Sequence, residues 1–160
     1  MKSNYDPISE WKWKSYYGDK EVDIKSFLNA IDNNSEIYIG TDSQNYSKGK
    51  KRCIFTSAVI IYKRGLGGRI LFHRDTTAFQ PNLRERLLME AMRSLECAWF
   101  VQNIVSDETP MYIHLDVNES LKFKSGKYRD ELVGLIAAQG FKALCKPYSW
   151  AASGIADSRT

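Results

Sequence analysis

Between residues 36 and 74 the chain holds three runs rich in β-branched and aromatic residues, and after Pro81 its apolar period changes from strand-like to helical. No other feature constrains the fold as much. Residues 36–42 read as a strand with Ile37 and Ile39 on one face, residues 53–63 (Cys-Ile-Phe-Thr-Ser-Ala-Val-Ile-Ile-Tyr-Lys) as a second, and Arg69 to Arg74 as a third after the turn Gly65-Leu66-Gly67-Gly68. Their short links make them an antiparallel meander. Leu83, Leu87, Ala91, Leu95 and Ala98 then recur at i+4 and i+3 intervals, which predicts a long amphipathic helix over 82–101. A strand over 111–117, a helix over 125–139 with Gly140 at its C′ position, and a strand over 141–146 stopped by Pro147 follow, with a short helical turn near Ala151. An extra helix over 24–32, capped by Asp23, precedes the meander. Crossover helices join parallel strands and tight turns join antiparallel ones. The order therefore demands an α/β fold whose five-stranded mixed sheet, three antiparallel strands then two parallel, is flanked by helices.

At 160 residues, with 43% hydrophobic side chains, the chain supports one core, and the expected division is an N-terminal extension over 1–22 and a domain over 23–160. The net charge of +4 suits a polyanionic partner without requiring one. Cys53, Cys97 and Cys145 are odd in number, widely spaced and set in apolar stretches, so they read as buried thiols and not as a disulfide framework or zinc knuckle. No run approaches a membrane span and the N-terminus lacks the apolar core of a signal peptide, so the expected location is cytoplasmic. Oligomeric state is not legible.

Four acids stand at patterned positions. Asp42 closes Glu36-Ile37-Tyr38-Ile39-Gly40-Thr41, Asp116 closes Met111-Tyr112-Ile113-His114-Leu115, Asp157 closes Ala151-Ala152-Ser153-Gly154-Ile155-Ala156, and Glu90 lies within the long helical pattern. Carboxylates in this order are what a two-metal site for phosphoryl transfer needs. Three of them have a plainer role open to them: Asp42 as an Asx-turn residue, Asp157 as a helix cap, Glu90 as a solvated acid at the margin of the apolar stripe. Strand parity puts Asp42 with Tyr38 and Gly40, and Asp116 with Tyr112 and His114, leaving Ile37, Ile39, Ile113 and Leu115 on the opposite sides. The polar sides can therefore meet.

The topology is the core of the ribonuclease H-like fold. Ile39-Gly40-Thr41-Asp42-Ser43-Gln44, Leu115-Asp116-Val117-Asn118 and Lys146-Pro147 with the Ala-Ser-Gly-Ile-Ala-Asp ending at Asp157 resemble segments of the YkuK-like family of ribonuclease H-like proteins, over roughly residues 20–160. The resemblance implies an acidic, metal-dependent nuclease site and leaves the substrate undefined. In such a fold the first and fourth strands of the core are parallel neighbours, so Asp42 and Asp116 would lie about one strand spacing, ~4.8 Å, apart. Oxygen donors without clustered His or Cys favour two Mg²⁺ or Mn²⁺ ions, held by Asp42, Glu90, Asp116 and Asp157, with Asp42 bridging both.

Further residues extend this reading toward nucleic acid. Lys48, Lys50, Lys51 and Arg52 form a basic turn after the Asp42 strand, and Lys122, Lys124 and Lys146 carry positive charge near the other acids. Such groups can hold phosphates without reading sequence, although a basic hairpin tip is as often only solvated. His114 is a candidate proton shuttle or a satisfied core residue. Trp11 and Trp13 can stack bases or pack onto the domain. The expected function is thus metal-dependent hydrolysis of phosphodiester bonds in RNA, DNA or a hybrid. The alternative is a non-catalytic nucleic-acid-binding module on the same fold. A phosphotransferase of the actin-like kind would need a duplicated domain, and Gln44 argues against the Asp-x-Glu of a proofreading exonuclease.

Overall fold

The computed structural model of the protein describes residues 7–146 apart from 17, 19, 33 and 119–123, with the backbone alone at 118, 124 and 125. A 3₁₀ turn at Ile8–Glu10 leads into two short strands, β1 (Trp13–Ser15) and β2 (Glu21–Val22). Helix α1 (Ile24–Asn29) starts at Asp23, whose carboxylate accepts from the Lys25 amide at 3.2 Å and the Ser26 hydroxyl at 2.9 Å. The helix is shorter than its apolar spacing suggests. It ends at Asn29 with Ala30 as its C-cap, and Asp32 then accepts from the Asn34 amide at 3.0 Å in the turn that delivers the chain into β3 (Ser35–Tyr46).

Strands β3, β4 (Arg52–Lys63) and β5 (Gly67–Thr77) form the expected antiparallel meander, paired from Ser35↔Lys63 to Tyr46↔Arg52 and from Lys63↔Gly67 to Cys53↔Thr77. The β4–β5 turn is closed by the Leu66 amide donating to the Lys63 carbonyl at 2.9 Å, with Gly65 at φ 84°. Asn82 caps helix α2 (Leu83–Gln102) by accepting from the Glu85 amide at 2.9 Å. After β6 (Met111–Asn118), a 3₁₀ turn at Lys124–Tyr128 stands where a helical start was expected, and α3 (Arg129–Ala138) follows it. Gly140, at φ 84°, donates to the Ala137 carbonyl, and the Phe141 amide donates to Ile136. That is a Schellman ending, the αL stop the sequence predicts. Strand β7 (Lys142–Lys146) completes the sheet.

The sheet order is β2-β1-β5-β4-β3-β6-β7, with β6 parallel to both β3 and β7. The five expected strands are present in the expected senses. Two short strands from the N-terminal segment lengthen the meander edge, because Lys14 and Ser15 pair with Phe72 and Leu71. Trp11 and Trp13 are consequently buried, as packing onto the domain requires. One sheet face carries Ile37, Ile39, Val59, Ile113 and Leu115 into a core closed by Leu87, Ala91, Leu95 and Ala98 of α2 and Leu132 and Ile136 of α3. The other face bears a smaller cluster of Ala58, Ile60 and Phe72 with Tyr38 against it.

Candidate functional site

The parallel ladder between β3 and β6 runs from Ile37↔Met111 to Gly40↔His114 and stops there. Asp42 and Asp116 each lie two residues beyond this last pair, where the ladder has opened. The sequence places Asp42 at the end of its strand, but β3 continues to Tyr46 because β4 keeps pairing with it, Asp42 itself facing Thr56. Asp42 therefore sits two residues past the end of the parallel ladder and inside the antiparallel one. Its Oδ1 accepts from the Ser43 amide at 2.9 Å.

Glu90 is not at a solvated margin. It is 6% exposed, and Ser43 Oγ donates to its Oε1 at 2.6 Å. Ser43 has the opposite parity to Asp42, so it points at α2 and ties the helix acid to the strand that carries the first aspartate. One turn further along α2, Ser94 Oγ donates to Thr41 Oγ1 at 2.9 Å, and Thr41 shares a hydrogen bond of 3.0 Å with Ser57. These hydroxyls are all buried and partnered, which fixes α2 over β3 beneath the acid. Burial pushes the Glu90 carboxyl well above its usual range, and the charges of Asp42 and Asp116 add to that; the Ser43 hydrogen bond and Arg86 oppose it. The charges of Asp42 on β3 and Asp116 on β6 thus both reach Glu90 on α2.

Asp116 is half-buried, and its Oδ1 is shut off from solvent and paired with the Lys146 ammonium of β7. That ammonium is raised above its ordinary value, chiefly by the hydrogen bond to Asp116 and further by the charges of Asp116, Asp42 and Glu90, against the cost of burial. Thr41, Glu90, Ser94, His114 and Asp116 line one narrow cleft. His114 is 3% exposed and burial lowers it to about 4, so its ring is neutral at pH 7. Its ring lies 5.1 Å from that of Tyr38. Such a group is poorly matched to proton transfer near neutrality. The other histidine, His73, is taken up in structure: Nδ1 donates to the Lys12 carbonyl at 2.9 Å and the ring stacks on Trp11 at 4.4 Å.

The donor set is all oxygen and suits Mg²⁺ or Mn²⁺. Among the described residues, no three His, Cys, Asp or Glu side chains converge tightly enough to hold a metal ion. Each acid instead has its own neighbour: the Ser43 amide for Asp42, the Ser43 hydroxyl for Glu90 and Lys146 for Asp116. Asp157 and Lys122 lie outside the described residues, as does the Lys124 side chain. Arg52 is exposed at the start of β4, opposite Tyr46 and four residues along β3 from Asp42, roughly 13 Å at strand rise. Lys48, Lys50 and Lys51 are exposed in the hairpin turn beyond it. Ser43, Thr41, Ser94 and Arg86 were not singled out from sequence. Parity identifies the first two, and the i+4 spacing from Glu90 identifies the others.

No helix among the described residues is long and apolar enough to cross a membrane. No curated protein and no solved structure shows a significant match to the chain. A family model described as Ribonuclease H-like does match, over residues 21–160. That span holds every strand of the sheet except β1 and all four acids, and the chain belongs to this ribonuclease H-like family, the YkuK family that its motifs resemble.

Proposed function

We propose that the protein is a metal-dependent nuclease that hydrolyses phosphodiester bonds of RNA, DNA or a hybrid through Asp42, Glu90, Asp116 and Asp157. The observation that carries this reading is the shared field of three acids from separate elements: Glu90 feels Asp42 and Asp116, and Lys146 feels all three. Burying a carboxylate beside two others is costly, and a fold keeps such an arrangement where a cation neutralises it. Two divalent ions, when bound, supply a water activated near neutral pH and stabilise the charge that develops on the leaving oxygen. Asp42 and Asp116 would present oxygens from neighbouring strands, Glu90 would close the helix side, and Asp157 would complete the set. Ser43 holds Glu90 at a fixed angle, which limits the reorganisation needed when a cation arrives. Lys48, Lys50, Lys51 and Arg52 would hold the nucleic-acid backbone some distance from the acids and give affinity without sequence preference.

The pairing of Lys146 with Asp116 also favours a second reading, a nucleic-acid-binding module without catalysis, since one acid is already neutralised by the chain itself. Labelled single strands, duplexes, hybrids and junctions incubated with Mg²⁺, Mn²⁺ or chelator separate the two. The nuclease reading expects metal-dependent cleavage of at least one substrate, lost in Asp42→Asn. Binding without cleavage under every condition, or cleavage indifferent to chelator, would contradict it.

A further inference from the structure

We propose that Lys146 is a built-in counter-ion of the acidic site, which holds Asp116 in the metal-free protein and yields it to an arriving divalent cation. This rests on the metal-site reading above. The first ground is the irregular pairing of β6 with β7. His114 pairs with Leu144, so regular parallel pairing would set Asp116 beside Lys146, yet the next pair is Asn118↔Lys146. Four residues of β6 thus span what two residues of β7 span. Asp116 lies in the middle of that irregular stretch, the kind of local distortion that re-aims a side chain beside a site.

The second ground is where the Lys146 charge goes. Its ammonium pairs with Asp116, which lines the same cleft as Glu90. An ammonium is a compact point charge on a flexible stem, able to take the place of a small cation among oxygens and to leave it by rotation of that stem. The Lys146 side chain is 40% exposed and that of Asp116 24%, so the ammonium can withdraw toward water although Asp116 Oδ1 itself is shut off from solvent. It also satisfies one carboxylate only: Glu90, buried on the same cleft, is held by the Ser43 hydroxyl. A doubly charged ion that spans two acids relieves more of their repulsion than the ammonium does.

Mn²⁺ affinity is measured by calorimetric titration of the full chain, its Lys146→Gln variant and its Lys146→Arg variant, with thermal midpoints recorded with and without the ion. Loss of a competing, partly buried ion pair should tighten Mn²⁺ binding by about fivefold in the Gln variant and enlarge its metal-induced rise in midpoint, while the Arg variant stays within roughly twofold of wild type. Wild type and Gln variant binding Mn²⁺ equally, or the Gln variant binding more weakly, would overturn the counter-ion role and leave the metal site standing. Wild type binding no Mn²⁺ at millimolar concentration would overturn both. A measurement on the unaltered chain covers the case in which a variant does not fold: acylation of Lys146, followed by mass spectrometry, should speed up at least threefold when Mg²⁺ is added. An unchanged or slower rate would contradict the proposal.

Discussion

Replacing Asp75 by Asn should loosen the helix that carries Glu90. Arg93, three residues beyond Glu90 on α2, donates from Nε to Asp75 Oδ1 at 2.8 Å and from Nη2 to Oδ2 at 2.5 Å. Its Nη1 donates to the Met89 carbonyl at 3.3 Å, and its guanidinium lies 3.9 Å from the Phe55 ring centroid. The side chains are only 7% and 19% exposed, so this fork joins α2 to β5 with little water around it. Removing one partner of a buried pair costs about 3–5 kcal/mol because the other charge stays behind. Asp75 keeps some solvent contact and Asn keeps one acceptor, which puts the expected loss at the low end, about 3 kcal/mol. For a chain of 160 residues that corresponds to a fall in thermal midpoint of roughly 6–12 °C. Calorimetry at 50 mM and 500 mM salt gives the readout, and the loss should change little with salt, because buried pairs are poorly screened. Adding Arg93→Met to Asp75→Asn should cost less than the two single losses combined, since the stranded charge is then gone. A fall of less than 2 °C in Asp75→Asn, or strictly additive losses, would refute the idea that this pair docks the helix.

Other perturbations probe the site itself. Ser43→Ala removes the donor to Glu90 and should destabilise the metal-free protein by about 1–3 kcal/mol in urea unfolding. Glu90→Gln should do the reverse at pH 7. The folded-state value of Glu90 is raised, so the stability tied to its protonated form is complete below its ordinary value of 4.5 and is lost as pH rises through the raised value; in chelator, unfolding midpoints followed from pH 4 upward should decline in wild type and decline less in the variant. Replacing Lys50, Lys51 and Arg52 together by Ala should weaken binding to oligonucleotides similarly across sequences and flatten the dependence of log K on log salt by about 2–3 units, as filter binding or fluorescence anisotropy would read. An unchanged slope would return that turn to a solvated hairpin tip.

The architecture was legible because local and long-range signals agree. The change of period after Pro81, the cap at Asp23 and the αL glycine at position 140 each specify one structure, and the parity of Ile37, Ile39, Ile113 and Leu115 fixes which sheet face is the core. Three things were hidden for physical reasons. Strand β3 overruns its apolar alternation, because its length is set by pairing with β4 and not by its own residues. β1 and β2 are too short to show a period, and only their place beside β5 makes them strands. At the site, strand order puts Asp42 and Asp116 toward the same end of neighbouring parallel strands, but the burial of Glu90 goes with Ser43 reaching across to the helix, and the Lys146 contact falls at an irregularity in β6 that no residue pattern announces.

The central claim is that acids from β3, α2 and β6 act as one cation site, and anomalous scattering from crystals soaked in Mn²⁺ tests it most directly. Manganese peaks should fall within about 2.0–2.3 Å of carboxylate oxygens of Asp42 and Asp116, with Glu90 facing them directly or through water, and should vanish in Asp42→Asn crystals. Absence of a peak there at saturating Mn²⁺, or manganese bound only elsewhere while Lys146 remains on Asp116, would contradict it.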